Sequence, residues 1–526
     1  MSYTKINATA ATLTKNRTEG SISPLSGMCT TCVDGCVGMC EIGKSSYRGS
    51  EAIYPQPFGI ITAGGEKDYP VDLSHFNIMG TCVGAHGIAA DSDKAIFSNV
   101  NTEQHIGRDK KLKVKMPIVL GGLGSTAIAK NNWDGLATGA AISGIICTIG
   151  ENICGMDPQA VFEKGRVKSS PEMVRRVKLY KDWQTDGYGA IVVQANVEDT
   201  KLAVQEYAIE KLGVEVVELK WGQGAKNIGG EVKIKDLKMA QMLADRGYIV
   251  LPNPHDPEVI KAFESHVFHE FERHSRVGMV EEESFLKRVE QLRKAGAKYV
   301  FLKTGAYRPV DLARAVKFAS EAKIDLLTVD AAGGGTGMSP WRMMNEWGVP
   351  QIELWSLLYQ YLDRLAKKKK FVPDAATGCG IVMEDQIFKA LALGAPYIKL
   401  VGMARGPLCA AMVGKNLGKM MADGESIVYV SRFGKTKEEV FITTPELQKK
   451  YNSRFASLNT GAIGLYTYME RLSQGLKQIM AGSRKFSLEH IARGDIAALT
   501  QDAARISGID YIMEMDKKEA DKILNG

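Results

Sequence analysis

From about residue 115 onward the chain alternates short β-rich runs with longer amphipathic ones, and this rhythm restricts the fold more than any other feature, because consecutive parallel strands must be joined by crossovers. The runs are 117–121, 144–149, 189–194, 214–220, 299–303, 325–330, 371–374 and 397–401. They number about eight, which a (β/α)8 barrel requires. Between them lie helical stretches such as 311–322 and 385–393, the latter stopped by Gly394. The fold class read here is α/β, a (β/α)8 TIM barrel.

A barrel of this kind takes roughly 250 residues. The chain has 526, so the surplus must be placed. It falls in an N-terminal Cys-rich region (1–112), in an excursion (221–298) inside a barrel spanning 113–425, and in a helical C-terminal extension (426–526). In that extension Leu465, Met469, Leu472, Leu476 and Ile479 recur at steps of four and three, one apolar helix face expected to be core or docking surface.

Four of the nine cysteines, Cys29, Cys32, Cys36 and Cys40, crowd together at C-x2-C-x3-C-x3-C spacing with glycines between them. Clustered thiolates repel unless a positive centre sits among them, and iron–sulfur clusters and zinc both meet that need. The spacing is not the common ferredoxin run, so a zinc knuckle or simple burial stays open beside the [4Fe–4S] assignment. An odd cysteine count argues against a disulfide framework. No secretory signal is visible in the first twenty residues and no window is apolar enough to span a membrane, so a cytoplasmic protein is expected. Lys and Arg number 67 against 60 Asp and Glu, a net +7 too dilute for nucleic-acid binding.

Barrels carry their active sites at the C-terminal strand ends. Glycines gather there, Gly121, Gly122 and Gly124 with Ser125 after the first strand, Gly333, Gly334 and Gly335 after the sixth, Gly378 and Gly380 after the seventh, and Gly402 followed by Met403 and Arg405 after the eighth. Such turns let backbone N–H groups approach a ligand, and the last two are where barrels bind phosphate. Tight βα turns would show the same composition. Lys303 ends the fifth strand, where a buried ammonium needs an anion or an electron-rich ligand such as the N1 and C2 edge of a flavin. Asp330, at the end of the next strand, is its alternative partner.

The segment Ala332-Gly333-Gly334-Gly335-Thr336-Gly337-Met338-Ser339-Pro340 resembles the Gly-Gly-Thr-Gly-Ala-Ser-Pro signature of the FMN-binding synthase domain of glutamate synthase. Other segments follow in family order. Thr148-Ile149-Gly150-Glu151 stands where the family has Thr-Gly-Glu-Gly-Gly, and Gln223-Gly224-Ala225-Lys226 with Gly229-Gly230-Glu231 resembles Gln-Gly-Ala-Lys-Pro-Gly-Glu-Gly-Gly. The segment Leu251-Pro252-Asn253-Pro254-His255-Asp256 is similar to its proline-histidine segment, Phe301-Leu302-Lys303 to its strand-end lysine, and 389–395 to its final barrel helix. With Arg493-Gly494-Asp495-Ile496 the resemblance covers roughly 115–510.

The resemblance implies an FMN barrel that reductively aminates 2-oxoglutarate, or a related imine, with nitrogen from ammonia or a separate glutaminase or amidotransferase subunit. It implies catalytic or substrate-side roles for Lys303, Glu151, Gln223 and Lys226. It implies cofactor contacts at Gly121, Gly122, Ser125, Thr148, Lys303, Asp330, Gly334, Gly335, Gly378, Gly380, Gly402, Met403 and Arg405. Three departures stand out. The family's three-cysteine motif after the last strand is absent, with only Cys409 nearby; its Asp-Gly-Gly on the seventh strand reads Gly378-Cys379-Gly380, displacing Asp374; and its Glu-Gly-Gly reads Glu151-Asn152-Ile153. Residue 2 is Ser2, not the nucleophilic cysteine of a glutaminase half, and no dinucleotide fingerprint is present. Electrons are therefore expected from a partner, a ferredoxin or a reductase subunit, through the N-terminal cluster. A homo-oligomer is expected, and neither nucleic acid nor membrane as partner.

Alternatives of other classes are an electron-transfer or scaffold subunit that keeps the flavin, an N-methylglutamate synthase-like enzyme, and an unrelated FMN barrel oxidoreductase. The lysines 367–370 read as solvated surface. His266, His269 and His274 are only weakly metal-like in spacing. Trp341 and Trp347 read as packing, with a wall of the ligand site as the bolder reading.

Overall fold

The computed structural model describes residues 34, 36, 41–54, 64–65, 67–224, 228, 231–335, 339–425 and 428–526. Cys29, Cys32 and Cys40 of the proposed cluster, and Lys226, lie outside the described residues. Cys36 is described and exposed.

Eight parallel strands close into a barrel in chain order: β1 (Ile118–Leu123), β2 (Ile146–Ile149), β3 (Ile191–Ala195), β4 (Val216–Lys220), β5 (Tyr299–Thr304), β6 (Leu326–Asp330), β7 (Asp374–Gly378) and β8 (Ile398–Met403). Closure runs through β8 and β1, with Val401 opposite Ile118. Seven of the eight expected runs overlap these strands over most of their length. The exception is β7, expected at 371–374 and found from Asp374 onward. Phe371 and Val372 look β-prone, but Pro373 offers no ladder donor, and the pairing falls instead to the small residues Asp374-Ala375-Ala376-Thr377-Gly378. Burial on both faces selects them where propensity does not.

Alternate residues point into the barrel. The lower interior is apolar, from Val119, Val192, Val216, Phe301, Leu326, Ala376 and Leu400, and is sealed from below by Ile106, Leu112 and Val114. Those three belong to the antiparallel pair Gln104–Ile106 and Leu112–Val114. Two ion pairs lock this plug: Arg108 meets the buried Asp325 at 2.6 Å, and Lys110 meets Asp374. Asp374 also accepts from the Gly107 amide at 2.9 Å, so it serves the floor of the barrel and lies at the opposite end of β7 from the ligand side.

The excursion between β4 and β5 forms an antiparallel three-stranded sheet, in which Phe271–His274 lies between Glu231–Ile234 and Ile249–Leu251. It returns through the helix Glu282–Lys294. The helix Thr460–Gly482 buries Leu465, Met469, Leu472 and Leu476, and Ile479 packs partly buried beside them. That face is core. The strand Phe76–Ile78 pairs with Ile496–Ala498, tying the region before the barrel to the extension after it. No helix among the described residues is long and apolar enough to cross a membrane.

Candidate active site

A cavity of about 310 Å3 opens at the C-terminal end of the barrel. Its floor begins where the inward residues change from apolar to polar, one layer above Phe301 and Leu326. Lys303 on β5 lies in register with Thr328 on β6 and with Lys220 on β4. Lys303 Nζ is 2.9 Å from Asp330 Oδ2, so the alternative partner is the one it has in this structure. Burial alone would lower the lysine's pKa, but the carboxylates of Asp330 and Glu218 outweigh it and the net shift is upward. Glu218, two residues before the end of β4, accepts from Gln194 Nε2 on β3. Burial raises its pKa against the opposing pull of Lys303 and Gln194.

The walls hold nearly every residue expected from the sequence. Gly121, Gly122 and Ser125 line it after β1, Thr148 and Glu151 at and after β2, and Gln223 after β4. Gly334, Gly335 and Gly380 line it after β6 and β7, and Gly402, Met403 and Arg405 after β8. Arg405 begins the helix Arg405–Ala422, whose free N–H groups make that edge favourable for an anion. Gly378 is placed differently. It lies under Asp330, and a Cβ there would come within 2.1 Å of Asp330 Oδ1, so its missing side chain seats the partner of Lys303. The turns after β1 and β2 touch back to back, since a Cβ on Gly150 would meet Gly124 N at 2.6 Å.

Glu151 is directed by its neighbours. Its carboxylate bonds Lys220 Nζ at 2.6 Å, with both side chains almost wholly buried. Asn152 follows in the left-handed region at φ 67°, its amide N donating to Asp199 Oδ2 at 2.8 Å and its side-chain carbonyl accepting from Tyr248 at 3.3 Å. Tyr248 comes from the excursion, which therefore braces this loop.

Several lining residues escaped the sequence reading. Glu218 and Thr328 sit mid-strand, where a charged or polar residue at an inward position was the available signal. Cys379 lines the cavity at φ 107°, a conformation costly for any residue but glycine, with its thiol 3.2 Å from the Ala332 carbonyl. Gly64 and Gly65 reach in from the region before the barrel, and the Gly65 amide donates to Gly333 O at 3.2 Å. Nothing in the sequence pointed to them. Trp341 and Trp347 line neither this cavity nor the one beside it. His274 pairs with Glu272 at 3.2 Å, and no group of three or more His, Cys, Asp or Glu side chains suited to a metal ion occurs among the described residues.

The residues present fit a flavin mononucleotide. Thr328 Oγ1 is buried against the cavity without a hydrogen-bond partner among the described residues, glycines leave backbone open on four sides, Lys303 supplies a cation at the floor, and a helix N-terminus with Arg405 stands at the edge.

Residues 272–417 match the family model described as the conserved region in glutamate synthase. No curated protein matches the chain. Among solved structures it is similar to a flavocytochrome b2 mutant with pyruvate bound, at 13% identity over 82% of this chain and 78% of that one, with a TM-score of 0.46. It is similar to the recombinant flavin-binding domain of baker's yeast flavocytochrome b2, at 12% identity over 81% and 76% with a TM-score of 0.43. A mandelate oxidase variant matches at 15% identity over 80% and 87%, with a TM-score of 0.42. The stretch that carries β5 to β8, with Lys303, Asp330 and the glycine turns after β6, β7 and β8, lies within the residues that match that family model.

Proposed function

We propose that this chain is an FMN-dependent oxidoreductase of the glutamate synthase type, which reductively aminates 2-oxoglutarate or a closely related keto acid. The observation that carries the reading is the buried Lys303–Asp330 pair, backed by Glu218, at the floor of a glycine-walled cavity. Gly121, Gly122, Thr148, Lys303, Gly334, Gly335, Gly380, Gly402, Met403 and Arg405 would hold the FMN. When bound, FMN supplies the hydride that reduces an imine carbon.

The chain's own residues do the rest. Lys303 keeps a positive charge at the floor, because its two carboxylate neighbours hold the proton on Nζ. Gln223, with Lys226 three residues on in sequence, binds and orients the dicarboxylate. Glu151, aligned by Lys220, orients the nitrogen donor. The Asn152–Tyr248 contact holds that loop in place. Cys29, Cys32, Cys36 and Cys40 would hold an iron–sulfur cluster, which would supply electron transfer from a ferredoxin or a reductase subunit, and nitrogen would come as free ammonia or from a partner subunit.

One observation favours a second reading. Glu151 is already engaged by Lys220, which withdraws both from substrate and would suit a flavin-bearing electron-transfer subunit. Mixing the photoreduced protein anaerobically with 2-oxoglutarate and ammonium, while following flavin absorbance and assaying glutamate, separates the two. Flavin reoxidation with stoichiometric glutamate is expected. A flavin that stays reduced with ammonium and with methylamine, yet is reoxidised by an artificial acceptor, overturns the synthase reading and leaves the second.

A further inference from the structure

A second chamber, of about 510 Å3, adjoins the first. It lies between the ends of β3 and β4 and the opening turns of the helix Glu282–Lys294, and of its lining residues only Glu151 and Lys220 carry a role above. Glu151 lines both chambers, so its ion pair with Lys220 stands in the partition between them.

One side of the chamber is apolar. Trp221 backs it, with its ring held edge-on against Phe285 at 5.2 Å and Phe318 at 6.0 Å, which leaves it little freedom to move. The other side is cationic. Lys201, Lys220, Arg276, Lys287 and Arg288 face only Glu151 and Glu281 among the lining residues. Three of those cations are committed: Lys220 to Glu151 at 2.6 Å, Arg276 to Glu198 at 2.9 Å, and Arg288 to Glu206. Lys201 and Lys287 have no acidic partner among the described residues, and the buried Nε of Arg288 has no acceptor there. A chamber of this size, with an aromatic wall and uncommitted donors, has the make-up of a small-molecule site.

We propose that this chamber binds a small organic anion, its aromatic or branched apolar body against Trp221 and Phe285 and its carboxylate toward Lys201 and Lys287. A cation of the same shape is disfavoured by the surplus of positive charge, and an anion without an apolar body leaves the aromatic wall unused. Because Lys220 borders the chamber and holds Glu151, an occupant here is felt at the Glu151 loop of the neighbouring cavity.

The test uses the full chain loaded with FMN and phenylacetate as the probe, with 2-phenylethylammonium as the opposite-charge control, both by calorimetry and by tryptophan fluorescence. Saturable one-to-one binding of phenylacetate and none of the amine is expected. Lys201→Glu combined with Lys287→Glu, both exposed positions, should weaken phenylacetate by about fivefold or more. Lys111→Glu, a remote exposed lysine, should leave it unchanged, and Trp221→Phe should remove the fluorescence response while binding persists. Absence of saturable binding, equal binding of the amine, or an unchanged affinity in the double variant overturns the proposal. Loss in Lys303→Met with none in the double variant also overturns it, by placing the probe in the first cavity.

Discussion

Lys303 and Asp330 meet at 2.9 Å across adjacent strands, at the level where the barrel interior changes from apolar to polar. The pair is buried, so removing the cation leaves Asp330 and Glu218 as uncompensated carboxylates, a change that costs about 3–5 kcal/mol in such settings. Lys303→Met is expected to lose that much in urea denaturation and to bind FMN at least tenfold more weakly in a fluorescence titration. The pH dependence has a definite sign. The lysine's pKa is raised above its ordinary 10.5, so its contribution is complete below that value and disappears as pH climbs through the raised one. The stability gap between wild type and variant should close only in that alkaline range.

Gly121 offers a cleaner probe of the cavity wall. A Cβ there would meet Ala404 Cβ at 3.5 Å and Lys303 Nζ at 3.7 Å, ordinary contact distances that the fold tolerates. Gly121→Ala should therefore melt within a few degrees of wild type while FMN affinity drops about tenfold, because the backbone is screened from the ligand. Unchanged FMN affinity would remove Gly121 from the cofactor wall.

Cys379 combines a strained backbone with an inert thiol. At φ 107° glycine is the favoured residue, so Cys379→Gly is expected to raise stability by about 1 kcal/mol. Burial, with the Asp330 charge adding to it, pushes the thiol up to about 12, so it is almost wholly protonated at neutral pH. Iodoacetamide at pH 7.5 should alkylate the exposed Cys82 and Cys409 well before Cys379, as peptide mass mapping would show.

Asp199 sits behind the Glu151 loop and accepts from the Asn152 amide. Burial, with Glu151 adding to it, raises its pKa from 3.8 to about 7. A raised carboxyl favours the protonated form in the folded chain, so its contribution is complete below 3.8 and is lost as pH rises through about 7. Between pH 5 and pH 8 the wild type should lose about 2 kcal/mol relative to Asp199→Asn. Parallel denaturation curves for the two proteins across that range would refute the assignment.

Much of this architecture was legible in the chain itself. Strand period, helix stops and glycine turns are local properties, and they located the barrel, Lys303 and most of the lining of the first cavity. The seventh strand was displaced because Asp374-Ala375-Ala376-Thr377-Gly378 has little intrinsic β preference, and only pairing on both sides makes it a strand. Asp374 itself illustrates the difference, since its place at the floor depends on Gly107 and Lys110, which are remote in sequence.

By itself, then, the sequence determined the order of strands and crossovers, the apolar face of the helix Thr460–Gly482, and which strand ends carry glycine and charge. Only the tertiary structure decided which polar and charged groups meet. Lys303 with Asp330, Lys220 with Glu151, and Glu218 with Gln194 are each set by strand register and barrel closure. The second chamber likewise exists only because the excursion folds back over the ends of β3 and β4. Local patterning reflects the chain's nearest neighbours, whereas the pairing of buried charges and the shape of a cavity are collective outcomes of packing.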